Sequence, residues 1–385
     1  MTYTFDQKQL ISLFSQEQEI IQIPDSDFRI HNIDFVSNFK LEETQANYKN
    51  LNYYGKDLQI EQNWHFNYPV FAPKAKKNTR AIILLHGLNE RSWDKYLTWG
   101  KYLAEKTGRT VILFPLAFHM NRGKEEWSDA RKMSSLVQLR KSGLQETNQL
   151  SFVNVALSNR LTEDPMRFYH SGLQSAHDLL QLIDSIKTGN YPLLEQNTQI
   201  NFMSYSIGAF LTQILFIANP NKLFSDSKAA IFCGGTTFNY MNGVSKKILD
   251  SYASQQLLNF YLYQFGQNLI PDKKKLLSMQ LQVVAEAFKA MIPLPKFRKL
   301  KERRFARISK QMSVFGLKKD KVIPAKEILE TLKNRKGKTK INFQLYDFPY
   351  QYTHEDPFPL YTNEKAALVD QGFENVFSKI SQNLV

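Results

Sequence analysis

In NFMSYSIGAF (201–210), two serines and a glycine interrupt an apolar run at the point where a strand must become a helix. A turn that tight brings two backbones close together, so small residues are needed on both sides of the apex. The apex residue itself is held in a strained conformation. Ser204-Tyr205-Ser206-Ile207-Gly208 has this small-x-Ser-x-small form, with Ser206 at the apex. Its hydroxyl is expected above the C-terminal edge of a sheet and beside a helix N-terminus, a place suited to a nucleophile whose attack creates an oxyanion. The plainer alternative for Ser206 is a helix N-cap, a role serine favours. Thiol and metal chemistry have weaker claims. Cys233, the sole cysteine, precedes Gly234-Gly235 in an apolar run and reads as a small hydrophobe. His170 and His177 are spaced for one helix face, but no acidic or cysteine partner completes a ligand set, so no metal and no cofactor are expected.

The elements that must position Ser206 follow from hydrophobic periodicity. Residues 1–75 are polar and Asn/Gln-rich, yet IHNIDFVSNF and WHFNYPVFAP alternate as half-buried strands do, and fit an antiparallel edge. From Arg80 strands and helices alternate. RAIILLHG (80–87), TVILFP (110–115), TQINFMS (198–204) and AAIFCGG (229–235) are apolar without alternation, the pattern of parallel strands covered on both faces. Helices are expected over 92–108, 168–189 and from Ile207 onward. Residues 116–165 show no strong regular signal and read as an insertion. Long helical patterns fill 236–305. Strand QMSVFG (311–316), helix PAKEILETLKNR (324–335), strand INFQLYDF (341–348) and a last helix from near Glu364 complete the chain.

A strand–Ser–helix elbow inside such a sheet resembles the α/β-hydrolase superfamily, whose elbow is usually Gly-x-Ser-x-Gly; Ser204 replaces the first glycine here. The resemblance covers roughly residues 60–235 and 311–380, and it implies a base and an acid in the chain order Ser, Asp, His. Asp320 in VFGLKKDKVIP resembles the family's G-x-x-D-x-x-x-P acid motif. His354 in LYDFPYQYTHEDPFP lies past the last strand, where the family places its base. Asp347 and Glu355 are the alternative acids. An N-cap is the plainer role for Asp320, and a structural loop hydrogen bond the plainer one for His354. His86-Gly87 resembles the family's HG dipeptide, which implies that the amides of Leu88 and Ile207 form the oxyanion hole. His86, Asn89, His119, Asn121, Arg122 and Tyr205 are candidate substrate contacts.

The resemblance thus implies an α/β-hydrolase-like fold: a mostly parallel central sheet flanked by helices, with a helical cap insertion. The division expected is 1–79, contributing edge strands; 80–235, the first part of the core with its 116–165 insertion; 236–305, the cap; and 306–385, carrying acid and base. The activity implied is serine hydrolysis of an ester, thioester or related acyl bond through an acyl-enzyme. The alternative is a non-catalytic relative that binds an anionic or apolar ligand or a membrane surface. The formal charge is +14, but residues 271–340 hold 21 Lys and Arg against 6 Asp and Glu, leaving the rest of the chain near neutral. The basicity is regional and its plainer reading is a solvated helix face, with an anionic partner the alternative; nucleic acid is not expected as a partner. KFRKLKERRFARISK (296–310) has the form of a basic amphipathic helix, a candidate for weak contact with anionic membranes. With no export signal or membrane-length apolar run, a cytoplasmic location is expected.

Overall fold

The computed structural model describes residues 2–40, 56–265, 278–292, 298–334, 336–362 and 364–385. Parts of two expected elements, the cap at 266–277 and 293–297 and the start of the basic helix at 296–297, lie outside them.

One nine-stranded sheet organises the chain. Its strands are β1 (Ile20–Gln22), β2 (Phe28–Val36), β3 (His65–Pro73), β4 (Asn78–Leu85), β5 (Thr110–Phe114), β6 (Leu194–Tyr205), β7 (Ala229–Phe232), β8 (Met312–Leu317) and β9 (Asn342–Tyr346), in the spatial order β1-β2-β3-β5-β4-β6-β7-β8-β9. The pairings β1·β2, β2·β3 and β3·β5 are antiparallel, and all from β5 through β9 are parallel. β4 is the pivot: the next strand in sequence lies on one side of it and β6 on the other. Such a switch point leaves a crevice beyond the C-terminal ends of the two diverging strands, the usual ligand position in open α/β sheets.

Residues Ala81–Leu85 of β4 are wholly buried because successive side chains feed opposite faces. Ala81, Ile83 and Leu85 join the core under α5 (Met166–Lys187) and α6 (Ile207–Ala218). Ile82 and Leu84 join Trp99 and Leu103 of α2 (Asp94–Thr107) and Phe373, Phe377 and Ile380 of α11 (Lys365–Leu384). This three-layer, mostly parallel arrangement is the α/β-hydrolase-like fold anticipated from the elbow.

Two regions carry more structure than expected. Helix α1 (Tyr3–Leu13) opens the polar N-terminal stretch, stacking Tyr3 on Phe373 at 4.3 Å and placing Asp6 3.1 Å from the buried Lys101 ammonium. Residues 116–165 hold α3 (Ala130–Gly143) and α4 (Val155–Glu163), which share a small core of Met133, Val137, Val155 and Ala156. Between β7 and β8 run α7 (Ser251–Asn259), α8 (Met279–Met291) and α9 (Arg298–Ile308); Val284 and Phe288 of α8 pack in the core that includes α5 and α6. On α9, Arg304 donates to the carbonyl of Ile217 and Lys301 to that of Thr331, so part of the basic face is turned inward. Helix α10 is Ala325–Leu332. Among the described residues no helix is long and apolar enough to cross a membrane.

Candidate active site

The passage from β6 to α6 takes a single residue. Ser206 has φ 55° and ψ −116°, a region L residues avoid and that costs on the order of 1–3 kcal/mol. Close packing around the turn holds it there. A Cβ on Gly208 would lie 2.7 Å from Leu85 Cβ and 2.8 Å from the His86 carbonyl oxygen, so only glycine fits. The Gly208 amide donates to that same carbonyl at 3.1 Å, joining the elbow to the end of β4. Ser204 is buried and shares a 2.6 Å hydroxyl–hydroxyl bond with Thr212, which accounts for a serine where the resembled motif has glycine. The Ser206 hydroxyl makes no capping bond, so the N-cap alternative fails.

That hydroxyl lies 2.7 Å from Nε2 of His354, whose Nδ1 lies 2.7 Å from Oδ2 of Asp320. A carboxylate can only accept, so Nδ1 carries the proton and Nε2 presents a lone pair to the serine. The other carboxylate oxygen of Asp320 accepts from the amides of Val322 and Ile323, at 2.9 and 2.8 Å. The turn before α10 therefore fixes the carboxylate, and the N-cap position of α10 is Pro324, not Asp320. All three residues are nearly covered, with exposures of 7% for Ser206, 2% for His354 and 4% for Asp320. The alternative acids are occupied elsewhere. Asp347 lies just beyond β9 rather than within it, accepting from Tyr352 at 2.8 Å, and Glu355 accepts from the Ser245 hydroxyl.

The Leu88 and Ile207 amides donate to no described residue, whereas the Gly87 amide is taken by the Tyr96 hydroxyl at 3.0 Å. Leu88 and Ile207 both border an apolar cavity walled by Leu116, Phe168, Phe210 and Phe288.

Of the six candidate substrate contacts, five are committed to other work. His86 is fully buried; its Nδ1 donates to the Gly87 carbonyl at 2.8 Å and its Nε2 accepts from the Leu116 amide at 2.9 Å. Burial pushes its pKa down to about 4, so it is a neutral brace for the loop. Asn89 donates to the carbonyls of Val153 and Lys247, at 3.0 and 2.8 Å. Asn121 turns back to the carbonyl of Asn67 at 2.9 Å. Arg122, 0% exposed, pairs with Asp178 at 2.7 Å and donates to the carbonyls of Asn63 and Pro115. Tyr205 faces the core: its ring stacks on His354 at 5.3 Å and its hydroxyl donates to the His354 carbonyl. These contacts hold the His354 loop against the end of β6. His119 alone keeps a free group at the cavity. Its Nδ1 donates to the Ala117 carbonyl at 2.9 Å, while the buried Nε2 has no partner among the described residues. Burial, then His86 and the nearby arginines, hold its pKa well below the usual value, so Nε2 is an acceptor.

Residues 244–247, within the expected 236–305 cap, line a cavity that reaches His354. They are tied down by Ser245 to Glu355, by the Lys247 carbonyl to Asn89, and by the Ser245 carbonyl to Asn154. Among the described residues the one group with metal-ligand geometry is Cys233, Asp320 and His354, with ligand atoms within 4.8 Å of one another. Its 2.7 Å nitrogen–oxygen contact is a direct hydrogen bond, tighter than two ligands at about 2.0–2.2 Å around a tetrahedral ion would sit. Burial also pushes the Cys233 thiol well up, against the thiolate a metal requires.

A family model described as a family of unknown function (DUF6051) matches residues 1–385. Among curated proteins nothing matches. Among solved structures the chain is similar to a hyperthermophilic esterase from the archaeon Pyrobaculum calidifontis, at 10% identity over 99% of this chain and 88% of that one, TM-score 0.45. It is similar to carboxyl esterase 2 of the mycorrhizal fungus Tuber melanosporum at 11% identity over 100% and 98%, TM-score 0.43. It is also similar to an acylaminoacyl peptidase from Pyrococcus horikoshii, at 10% identity over 94% of this chain and 42% of that one, TM-score 0.43.

Proposed function

The chain belongs to the DUF6051 family, and we propose that it is a serine hydrolase that cleaves an ester, thioester or related acyl bond. One observation carries the reading: an unbroken hydrogen-bond line, Ser206 to His354 to Asp320, behind a serine held at positive φ.

In this reading His354 Nε2 takes the hydroxyl proton as Ser206 Oγ bonds to the acyl carbon. Asp320 keeps the proton on Nδ1 and stabilises the imidazolium that forms. The oxyanion is met by the amides of Leu88 and Ile207, each donor of this kind contributing roughly 10²–10³ in rate. His354 returns its proton to the departing alcohol or thiol, leaving the acyl-enzyme. Water then repeats both steps in the same order and frees the acid. The apolar cavity against Ile207 receives the acyl chain, and the acceptor Nε2 of His119 takes an N–H or O–H of the substrate.

A fluorophosphonate probe tests the proposal directly. Wild type is expected to label, Ser206→Ala not to, and Ser204→Ala still to do so. Labelling that survives Ser206→Ala moves the nucleophile elsewhere, and a folded wild type that never labels favours a non-catalytic binding protein.

A further inference from the structure

A second, more polar cavity adjoins the apolar one. Leu88, Ala117, His119, Phe168 and Ser171 border both. Its far wall is cationic, formed by Arg91, Arg160 and Arg167. Two acids balance two of these guanidiniums. Asp57 Oδ2 accepts from Arg160 Nη2 and Arg167 Nε, each at 3.0 Å, and Glu163 accepts from Arg167 Nη1 at 2.9 Å. Arg91 is different. It has no acidic partner among the described residues, and its single described hydrogen bond runs from Nη2 to Asn89 Oδ1 at 3.1 Å. Its Nε and Nη1, together with Nε of Arg160, are buried donors without acceptors. The guanidiniums of Arg91 and Arg160 both lie over the Trp127 ring, at 5.0 and 4.5 Å, so two like charges share one indole. Burial and then Arg160 draw Arg91 down to about 10, which leaves it charged at neutral pH.

A largely buried cation with unmet donors is unfavourable unless something supplies the opposite charge. Since the nearby acids are already used, a ligand lying in this cavity can supply the counter-charge. We propose that this arginine-walled cavity is a subsite for a carboxylate carried by the substrate, with Arg91 as the residue that selects it. One uncompensated cation matches a monoanion, and a planar guanidinium pairs with a planar carboxylate through two parallel N–H donors. The inference rests on the acyl-hydrolase reading of Ser206: with Leu88 bordering both cavities, an acyl carbon held there has apolar space on one side and the cationic cavity on the other.

The test separates the two. Binding is measured calorimetrically on Ser206→Ala, which needs no turnover, with monomethyl glutarate against dimethyl glutarate. The monoacid is expected to bind about 10-fold more tightly or better, as one charge-assisted pair allows. Arg91→Gln in that background should erase the difference and Arg91→Lys restore part of it. Turnover by otherwise wild-type protein is compared on 4-nitrophenyl hemiglutarate and 4-nitrophenyl butyrate, and on acetyl glycolate for a carboxylate on the leaving side. Equal affinity for acid and diester, or a preference that survives Arg91→Gln, overturns the subsite. So does a proportional loss on all esters in Arg91→Gln with a lowered melting temperature, the signature of a structural role. Preference in binding without turnover of any ester keeps the subsite and removes the hydrolase reading; turnover with no preference does the reverse.

Discussion

Two walls meet at the C-terminal edge of the sheet, and they treat charge in opposite ways. On the sheet wall, β6, β8 and β9 end in Ser206, Asp320 and the loop bearing His354, and every polar atom of the acid and the imidazole ring has a partner. Among the buried arginines, Arg122 is matched by Asp178 and three main-chain contacts, whereas Arg91 on the cavity wall is left with unmet donors. The contrast teaches that burial alone does not mark function. A satisfied buried charge holds the fold together, and to the unsatisfied one that borders a cavity we assign a ligand.

The sharpest way to break this comparison is on the sheet wall. Asp320→Asn preserves shape but offers His354 Nδ1 an amide in place of an obligate acceptor, so the wrong imidazole tautomer is favoured. Turnover on a 4-nitrophenyl ester should fall by roughly 10⁴ with little change in melting temperature; a fall under tenfold would mean that the carboxylate does not orient the base. At the Arg122 pair, Asp178→Asn should do the converse. Removing one partner of a fully buried pair costs about 3–5 kcal/mol, read by denaturant unfolding, while the folded fraction keeps its turnover. A loss of less than 1 kcal/mol would show that Arg122 finds compensation elsewhere.

The smallest effect concerns pH and the loop between the walls. His86 is buried and neutral, its folded value of about 4 lying below the unfolded value near 6.5. The unfolded chain therefore takes up more protons in acid. Its contribution, at most about 3 kcal/mol, is present at neutral pH, declines as pH falls below about 6.5, and is gone near 4. His119, depressed by burial and by His86, acts in the same direction. Unfolding free energies measured from pH 7.5 to 4.5 should fall accordingly; a flat profile would mean that these rings are hydrated in solution.

The sheet wall was legible because its signals are local or ordinal. The elbow is five residues long, and the acid and the base follow in a fixed order past recognisable strands. The other wall was hidden because its meaning lies in pairings across the chain. Asp57 meets Arg160 and Arg167 from 103 and 110 residues away, and no periodicity announces such partners. For Asn121 and Arg122 the sequence indicated nearness to a strand end but not which way the side chains turn. Helix α1 escaped notice because the residues it buries, Tyr3, Thr4, Gln7 and Leu10, mix polar with apolar types. Helices α3 and α4 gave only local helical hints because their buried positions are few, Met133, Val137 and Arg140 on one and Val155, Ala156, Ser158 and Leu161 on the other, and mix polar with apolar types.

The serine and its histidine are 148 residues apart in the chain, joined only when β7, β8 and β9 have added to β6 in turn. On the proposed reading, ester turnover would report complete assembly of the site: a chain whose sheet stops at β8 lacks the strand that leads to His354 and stays silent in the assay.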